Sequence, residues 1–337
     1  MLRIAINGFG RIGRNFLRTL LQDAEVKHKI TIAVINIGPA KLSMIAHMFK
    51  YDTLMGTYPG AVTLDGDHLV VDNYRIKIIT AVDPSTIDWK AYSIDWVVEA
   101  SGKFTQREGA SKHLKAGARY VLITAPAQDE DVTIIPGVND AAFDPQTHKI
   151  ISLGSCTTNA FLPTLKVVHD AFTIQQCFMT TVHSYTNSQV LLDVEAKDER
   201  RSRAAALNII PSTTGAMKVM GKVIPELIGC VEAVALRVPV AKVSLIDVTF
   251  MVKKEVTVPL LYQVFEQAAQ GDLQGILGIT MEPLVSSDFG GDARSVIIDG
   301  KLTSTCGKTM GKIFGWYDNE WGYSCRLRDF LMEVASY

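Results

Sequence analysis

Apolar residues in the first half of the chain recur with two alternating patterns. Short, nearly continuous apolar runs indicate strands buried on both faces, and apolar residues spaced three or four positions apart indicate helices. The first such run covers residues 2–6, a helical pattern covers residues 15–21, and a second apolar run covers residues 30–35. A strand, a turn, a helix and a strand in this order predict a βαβ unit.

The same alternation continues towards the middle of the chain. Residues 107–114 have helical spacing, and strand-like runs cover residues 95–100, 119–124 and 150–153. Strands that alternate with helices predict an α/β fold with a parallel, doubly wound sheet of the Rossmann type. We therefore predict a dinucleotide-binding domain over residues 1–154.

The pattern changes after residue 156. A helix is predicted over residues 159–172, where Pro163 is tolerated only in the first turn or at a kink. A second helix is closed by Gly271, and the remaining segments are β-rich runs at residues 176–183, 233–238 and 243–252. These elements predict an α+β domain over residues 155–320 with a mostly antiparallel sheet. A last helix, residues 321–337, is expected to pack back on the first domain.

Composition narrows the class of protein. The chain has 337 residues, 47% of them hydrophobic, and a net charge of −1, so it can bury a core and lacks the positive field that nucleic-acid binding needs. No apolar run is long enough to span a bilayer, and the glycine-rich turn begins too early for a signal peptide. The five cysteines are scattered without metal-binding spacing. We expect reduced thiols, no bound metal, no membrane partner and a cytoplasmic location.

A glycine-rich turn joins the first strand to the first helix. Gly8, Gly10 and Gly13 have the spacing that lets a backbone turn tightly, approach a pyrophosphate and pack a helix against a strand. In this position the motif predicts dinucleotide binding, with a purely structural turn as the alternative. The acidic residue that usually ends the second strand is absent, because Asn36 and Ile37 stand there. Asn36 is still able to bond a ribose hydroxyl.

A cysteine and a histidine form the candidate reaction centre. Cys156 follows a predicted strand and precedes a predicted helix, whose dipole would lower the thiol pKa and favour the nucleophilic thiolate. His183 ends a β-rich run and is a candidate for an ion pair with that thiolate and for the general base. The alternative for each is structural, because cysteines are often buried and lone histidines often lie in cores.

Cationic and hydroxyl side chains later in the chain suit an anionic phosphate. Arg237 lies at a strand end, and Thr214 and Gly215 offer a hydroxyl and a flexible backbone. A basic cluster at residues 200–203 is a further candidate, with a solvated surface or structural salt bridges as its alternative.

Five short motifs then occur in one specific order. They are residues 7–14 (NGFGRIGR), 155–159 (SCTTN), 183–187 (HSYTN), 237–239 (RVP) and 316–323 (WYDNEWGY). Together they resemble the glyceraldehyde-3-phosphate dehydrogenase family over essentially the whole chain. The resemblance implies a phosphorylating, NAD(P)-dependent oxidoreductase that works through a cysteine thioester.

The resemblance also implies roles for individual residues. Cys156 would be the nucleophile and His183 its base, while Thr186 and Arg237 would hold the substrate phosphate. The residues implied for inorganic phosphate are Ser155, Thr157, Thr214 and Gly215. The residues implied for the cofactor are Gly8, Gly10, Arg11, Ile12, Gly13, Asn36, Ile37, Thr124 and Asn319. The implied partners are glyceraldehyde 3-phosphate, inorganic phosphate and NAD, and residues 184–206 imply a homotetramer.

Several positions depart from the family pattern. Ile37 and Val82 replace an acidic and a basic residue, which leaves the choice between NAD and NADP open. Residues 152–154 and Ala160 also differ, but neither change needs to touch the reacting atoms. The alternative within the fold is an erythrose-4-phosphate dehydrogenase, which typically carries Ala-Met where this chain has Tyr185 and Thr186. A nucleotide- or RNA-binding module without catalysis is disfavoured by the intact cysteine and histidine.

Overall fold

Our computed structural model describes residues 1–196 and 198–335, which divide into two units. The first unit contains Met1–Ile134, Ala141–Gly154 and the described residues from Ser324 onward. The second unit contains Ile135–Asp140 and Ser155–Tyr323.

A nine-stranded sheet forms the first unit. Its strands are β1 (Leu2–Asn7), β2 (Ile30–Asn36), β3 (Val62–Asp65), β4 (His68–Val71), β5 (Tyr74–Ile79), β6 (Trp96–Glu99), β7 (Tyr120–Ile123), β8 (Val132–Thr133) and β9 (Ile150–Ser152). Their order is β3-β4-β5-β2-β1-β6-β7-β9-β8. The chain order reverses between β1 and β6, which is where open α/β sheets bind ligands at their carboxyl ends.

The predicted parallel sheet is confirmed for the seven neighbouring strands β5-β2-β1-β6-β7-β9-β8. The remaining edge of the sheet is antiparallel. Both β3 and β5 pair antiparallel with β4. The sequence carried a local signal for this hairpin, because Gly66 follows Asp65 between two strands and adopts a φ of +57°. A parallel-only prediction missed the hairpin because it followed the βαβ alternation.

Four helices accompany this sheet, and a fifth ends in the same unit. They are α1 (Arg11–Leu21), α2 (Ala24–Lys29), α3 (Ile45–Lys50), α4 (Arg107–Lys115) and α8 (Trp321–Val334). One core cluster joins Val34, Trp89 and Val97 across neighbouring elements. Phe330 of α8 lies edge-on to Trp96 of β6, with ring centroids 5.8 Å apart.

An eight-stranded, mostly antiparallel sheet forms the second unit. Its strands are β10 (Ile174–Ser184), β11 (Ile210–Ser212), β12 (Val231–Val238), β13 (Ser244–Val252), β14 (Leu277–Thr280), β15 (Val296–Asp299), β16 (Ser304–Cys306) and β17 (Met310–Tyr317). Seven of them run in the order β11-β12-β10-β13-β17-β15-β14, and β16 pairs with β17. The pairs β10 with β12 and β14 with β15 are parallel. The predicted combination of a Rossmann-type and an α+β architecture is confirmed.

Three helices lie in the second unit, namely α5 (Cys156–Phe172), α6 (Ala216–Val223) and α7 (Val258–Gln270). Phe161 and Leu165 of α5 share a buried apolar cluster with Phe250 of β13. Pro163 lies inside α5, beyond its first turn, because the helix starts at Cys156 and not at residue 159 as predicted. Among the described residues, no helix combines the length and apolarity that crossing a bilayer requires.

Candidate active site

The start of α5 is fixed by a capping box directly before Cys156. The Ser155 side chain accepts a hydrogen bond from the Thr158 backbone N–H at 3.3 Å, and Thr158 Oγ1 accepts one from the Ser155 N–H at 2.7 Å. This reciprocal arrangement satisfies donors that a helix start leaves free. Cys156 is therefore the first helical residue, with its side chain only partly buried.

The thiol of Cys156 faces the imidazole of His183. Cys156 Sγ lies 3.5 Å from His183 Nε2, although the two residues are 27 positions apart in sequence. His183 is next to last in β10 and is buried. The sulfur and the ring nitrogen are close enough for a proton to pass between them, which is the geometry that a nucleophile and its base require.

The other ring nitrogen of His183 lies beside the Ser184 carbonyl and the Arg237 guanidinium. Nδ1 lies 2.7 Å from the Ser184 carbonyl oxygen and 2.6 Å from Arg237 Nη1. Arg237 Nη1 also donates to that carbonyl at 3.0 Å. We assign the Nδ1 hydrogen to the Ser184 carbonyl, because Arg237 then keeps the same oxygen as its acceptor. This tautomer leaves the Nε2 lone pair pointing at the thiol.

Burial shifts the pKa of both groups away from the ion pair that the sequence predicts. Burial raises the pKa of the Cys156 thiol, and the positive charge of Arg237 opposes that rise only in part. Burial and then Arg237 lower the pKa of His183 to about 3. Both shifts oppose the thiolate–imidazolium pair, and that pair stays a prediction. A neutral imidazole is the form able to accept the thiol proton.

Tyr317 is a site residue that the sequence reasoning did not single out. Its hydroxyl lies 3.0 Å from Thr157 Oγ1 and 2.8 Å from Thr181 Oγ1. Its ring is edge-on to the His183 ring, with centroids 6.0 Å apart. The alternation along β17 was the available signal, because residues 311, 313, 315 and 317 all face the interior.

The residues implied for phosphate binding divide between the reaction centre and its surroundings. Thr157, whose Oγ1 is 4.0 Å from Cys156 Sγ, and Arg237 lie beside the cysteine and histidine. Thr186 and Thr214 contact residues close to them in sequence. Thr186 Oγ1 lies 2.9 Å from Ser188 Oγ, and Thr214 Oγ1 accepts a hydrogen bond from the Ala216 N–H at 3.2 Å. Gly215 directly precedes α6.

The basic cluster at residues 200–203 has two kinds of contact. Arg201 Nε donates to Ser212 Oγ at 2.9 Å, which holds its guanidinium beside the segment that carries Thr214. Arg203 forms an exposed ion pair with Asp193 at 2.7 Å. The structural alternative therefore holds for Arg203.

In the first unit, the glycine-rich turn lines a pocket of about 210 Å³. Gly8 has a φ of +98°, and a Cβ there would lie 2.5 Å from the Ser101 backbone. A Cβ on Gly13 would lie 2.3 Å from the Gly8 carbonyl oxygen, whereas a Cβ on Gly10 would meet open space. These features fit a dinucleotide, because the turn is tight at Gly8 and Gly13 and open at Gly10, where helix α1 begins.

Asn36 and Ile37 both line this pocket, but their side chains differ in availability. Asn36 is buried, and its amide donates to Asn7 Oδ1 at 2.6 Å and to the Ala81 carbonyl at 2.9 Å. Both amide hydrogens are thus used inside the protein, so Oδ1, which accepts from the Gly38 N–H at 3.2 Å, is the atom through which Asn36 would bond a ribose hydroxyl. Ile37 presents an uncharged side chain where an acid was expected.

The remaining cofactor candidates occupy several elements. Arg11 and Ile12 begin helix α1, and the Arg11 guanidinium pairs with Asp52. Thr124 follows β7 and donates from Oγ1 to the Glu99 carbonyl at 3.1 Å. In the second unit, Asn319 Oδ1 accepts from Ser184 Oγ at 2.9 Å, so its NH₂ group is the end left to donate to a ligand.

Within residues 1–196 and 198–335, no group of three or more acidic, histidine or cysteine side chains is placed to hold a metal ion.

Comparison with known proteins identifies the family of this arrangement. Residues 2–107 match the NAD-binding domain model of glyceraldehyde 3-phosphate dehydrogenase, and residues 155–319 match its C-terminal domain model. Glyceraldehyde-3-phosphate dehydrogenase of Priestia megaterium is 46% identical over 335 residues, covering 99% of this chain and 98% of the relative. The enzyme of Geobacillus stearothermophilus and enzyme 1 of Bacillus subtilis are each 45% identical, with the same coverage. The chain therefore belongs to the glyceraldehyde-3-phosphate dehydrogenase family of NAD-dependent oxidoreductases.

Proposed function

We propose that this chain oxidises glyceraldehyde 3-phosphate with NAD and inorganic phosphate, and that the product is 1,3-bisphosphoglycerate. The observation that carries the proposal is the contact of Cys156 Sγ with His183 Nε2 at 3.5 Å, beside the guanidinium of Arg237. A nucleophilic sulfur, a neutral base and a fixed cation suit a phosphorylated aldehyde. We further propose that the first unit binds the cofactor and that the second carries the reacting groups.

The first step forms a covalent bond between sulfur and the aldehyde carbon. His183 Nε2 accepts the thiol proton as Cys156 Sγ attacks, and it returns that proton to the carbonyl oxygen to give a thiohemiacetal. The backbone N–H of Cys156, at the start of α5, is suitably placed to stabilise the negative oxygen.

The second step converts the thiohemiacetal into a thioester. When bound, the nicotinamide ring supplies the acceptor for the hydride that leaves the same carbon. His183 Nε2 removes the hydroxyl proton as that hydride departs, so an imidazolium remains beside an acyl thioester. Inorganic phosphate then attacks the acyl carbon and expels the Cys156 sulfur, which regains its proton from His183 while the phosphate proton passes to solvent.

Two groups of residues are proposed to hold the two phosphates. Arg237 and Thr186 would bind the phosphate of the aldehyde. Arg237 also contacts the base, through His183 Nδ1. Ser155, Thr157, Thr214 and Gly215 would bind inorganic phosphate. Thr157 contacts the reacting sulfur, with Oγ1 4.0 Å from Sγ.

The test of this function is the dependence of NADH formation on phosphate. With glyceraldehyde 3-phosphate and NAD alone, we expect one equivalent of NADH per site and an acyl group on Cys156, detected by mass spectrometry. Addition of phosphate should convert this burst into continuous turnover. Continuous turnover without phosphate would contradict the phosphorylating reaction, and a higher kcat/KM for erythrose 4-phosphate would favour the alternative substrate.

We propose that NAD is the working cofactor and that NADP is accepted better than in relatives with an acid at position 37. Ile37→Asp should raise the ratio of kcat/KM for NAD over NADP by about 5- to 10-fold, because the carboxylate would accept bonds from the ribose hydroxyls and repel a 2′-phosphate. Ile37→Asn is the matched control, since it adds polarity without charge. An equal change of this ratio in both variants, or no change in Ile37→Asp, would mean that the side chain at position 37 does not distinguish the ribose of NAD from that of NADP.

We also propose a cytoplasmic homotetramer. All five cysteines are free thiols, as expected for a reducing compartment.

Phe178 of β10 and Val234 of β12 lie exposed on one face of the second sheet, and Leu191, Leu192 and Leu207 lie exposed in the segment after β10. Apolar side chains grouped in this way favour a surface that a second copy covers. Light scattering should give four times the 37.0 kDa mass of the chain, and a monomer mass would contradict the proposal.

A further inference from the structure

A chain of three hydroxyl groups connects the reaction centre to the interior of the second sheet. Tyr317 is buried, and its hydroxyl lies between Thr157 Oγ1 at 3.0 Å and Thr181 Oγ1 at 2.8 Å. Thr157 belongs to the first turn of α5, Thr181 to β10 and Tyr317 to the end of β17. The catalytic steps derived above do not use Tyr317.

The phenol has a single hydrogen and two hydroxyl neighbours. Burial raises the pKa of Tyr317, so this hydrogen is retained at neutral pH. If Tyr317 donates to Thr181, then Thr157 must donate to Tyr317 and its own hydrogen is unavailable to a ligand. If Tyr317 donates to Thr157, then Thr181 donates to Tyr317 and the Thr157 hydrogen is free to point elsewhere. Hydrogen bonds in such a chain polarise one another, so the three hydroxyls reorient together.

We propose that Tyr317 is a positioning residue for the phosphate step, because it donates to Thr157 Oγ1 and thereby turns the Thr157 hydrogen towards the incoming phosphate. The proposal rests on the proposed function, in which Thr157 binds inorganic phosphate. An anion needs donors, and a hydroxyl whose oxygen already accepts a bond presents its hydrogen outward. Thr181 holds the far end of the chain.

The proposal separates the two halves of the reaction. Thioester formation depends on the sulfur and on His183 Nε2, whereas the hydrogen-bond partners of the Tyr317 hydroxyl are Thr157 and Thr181. The Tyr317 ring lies edge-on to His183, and this contact survives when only the hydroxyl is removed. Loss of the Tyr317 hydroxyl should therefore raise KM for phosphate and leave the burst of NADH formation unchanged.

The experiment measures KM for phosphate and the burst rate in the Tyr317→Phe variant. We expect KM for phosphate to rise about 3- to 10-fold, the effect of losing one hydrogen bond, while the burst of NADH keeps its rate and amplitude. Tyr262→Phe is the matched control, because the Tyr262 hydroxyl donates to the Gly300 carbonyl at 2.6 Å and its loss removes a similar bond outside the site. A parallel fall in burst rate and phosphate use would overturn the proposal.

A double-mutant cycle with Thr157→Ala tests whether Tyr317 acts through Thr157. In the Thr157→Ala background, Tyr317→Phe should cause no further rise in KM for phosphate, and an undiminished rise would overturn the proposal. If Tyr317→Phe does not fold, Thr181→Val removes the other end of the chain and should raise the same KM by a smaller factor. Failure of the proposed function is a separate outcome, because it would appear as the absence of a phosphate-dependent second phase in the unmodified protein.

Discussion

Replacing His183 with asparagine should slow the burst of NADH formation by about 10²- to 10⁴-fold, the usual contribution of a positioned base. His183 Nε2 lies 3.5 Å from Cys156 Sγ, and its Nδ1 hydrogen is directed to the Ser184 carbonyl. Asparagine retains a polar side chain but cannot accept the thiol proton or the hydroxyl proton. Cofactor binding should be unchanged, because the glycine-rich pocket belongs to the other unit. Rapid mixing with the aldehyde and NAD measures the burst directly.

The same variant should slow alkylation of Cys156 by iodoacetate, since the imidazole that accepts the thiol proton is gone. The exposed Cys306 supplies an internal reference within the same chain. His169→Asn is the control substitution, because His169 lies on α5 and accepts from the Ile174 N–H, away from the sulfur. A burst in His183→Asn at the rate of the unmodified protein would mean that another group is the base.

Replacing Arg237 with leucine should raise KM for glyceraldehyde 3-phosphate by about 10- to 100-fold, the effect of losing hydrogen bonds to a charged group. KM for unphosphorylated glyceraldehyde should change far less, because that substrate presents no dianion. The comparison is necessary because Arg237 also contacts His183 Nδ1 at 2.6 Å and lowers the pKa of its imidazole. A change in the base would alter the oxidation of both aldehydes, whereas a lost phosphate contact alters only one.

One further substitution separates charge from geometry at this position, and a second serves as its control. Arg237→Lys keeps a positive charge but loses the planar, two-pronged donor, so KM for the phosphorylated aldehyde should lie between those of the unmodified protein and Arg237→Leu. Arg294→Leu is the control, because Arg294 pairs with Asp292 at 2.6 Å in the same unit. Equal increases in KM for both aldehydes in Arg237→Leu would assign Arg237 a structural role.

Local sequence determined the elements that carry the site. The apolar runs and the glycine spacing predicted β1, the turn at Gly8 and the helix behind it, because strand burial and turn geometry depend on near neighbours. The start of α5 is also local, since Ser155 and Thr158 cap it within four residues, although the prediction placed that start three residues too late. The antiparallel hairpin of β3 and β4 was equally local and was missed only because the alternation pattern took precedence.

Only the tertiary structure decided what these elements bring together. Cys156 and His183 are 27 positions apart, and His183 and Arg237 are 54 apart, so no local pattern fixes their contacts. Burial raises the pKa of the Cys156 thiol, whereas the sequence predicted a lowered one, because desolvation depends on surrounding residues that are distant in sequence. Tyr317 was missed for the same reason, since its partners come from α5 and β10. The sequence thus determined which residue types and elements are present, and the fold determined their distances, protonation and hydrogen-bond partners.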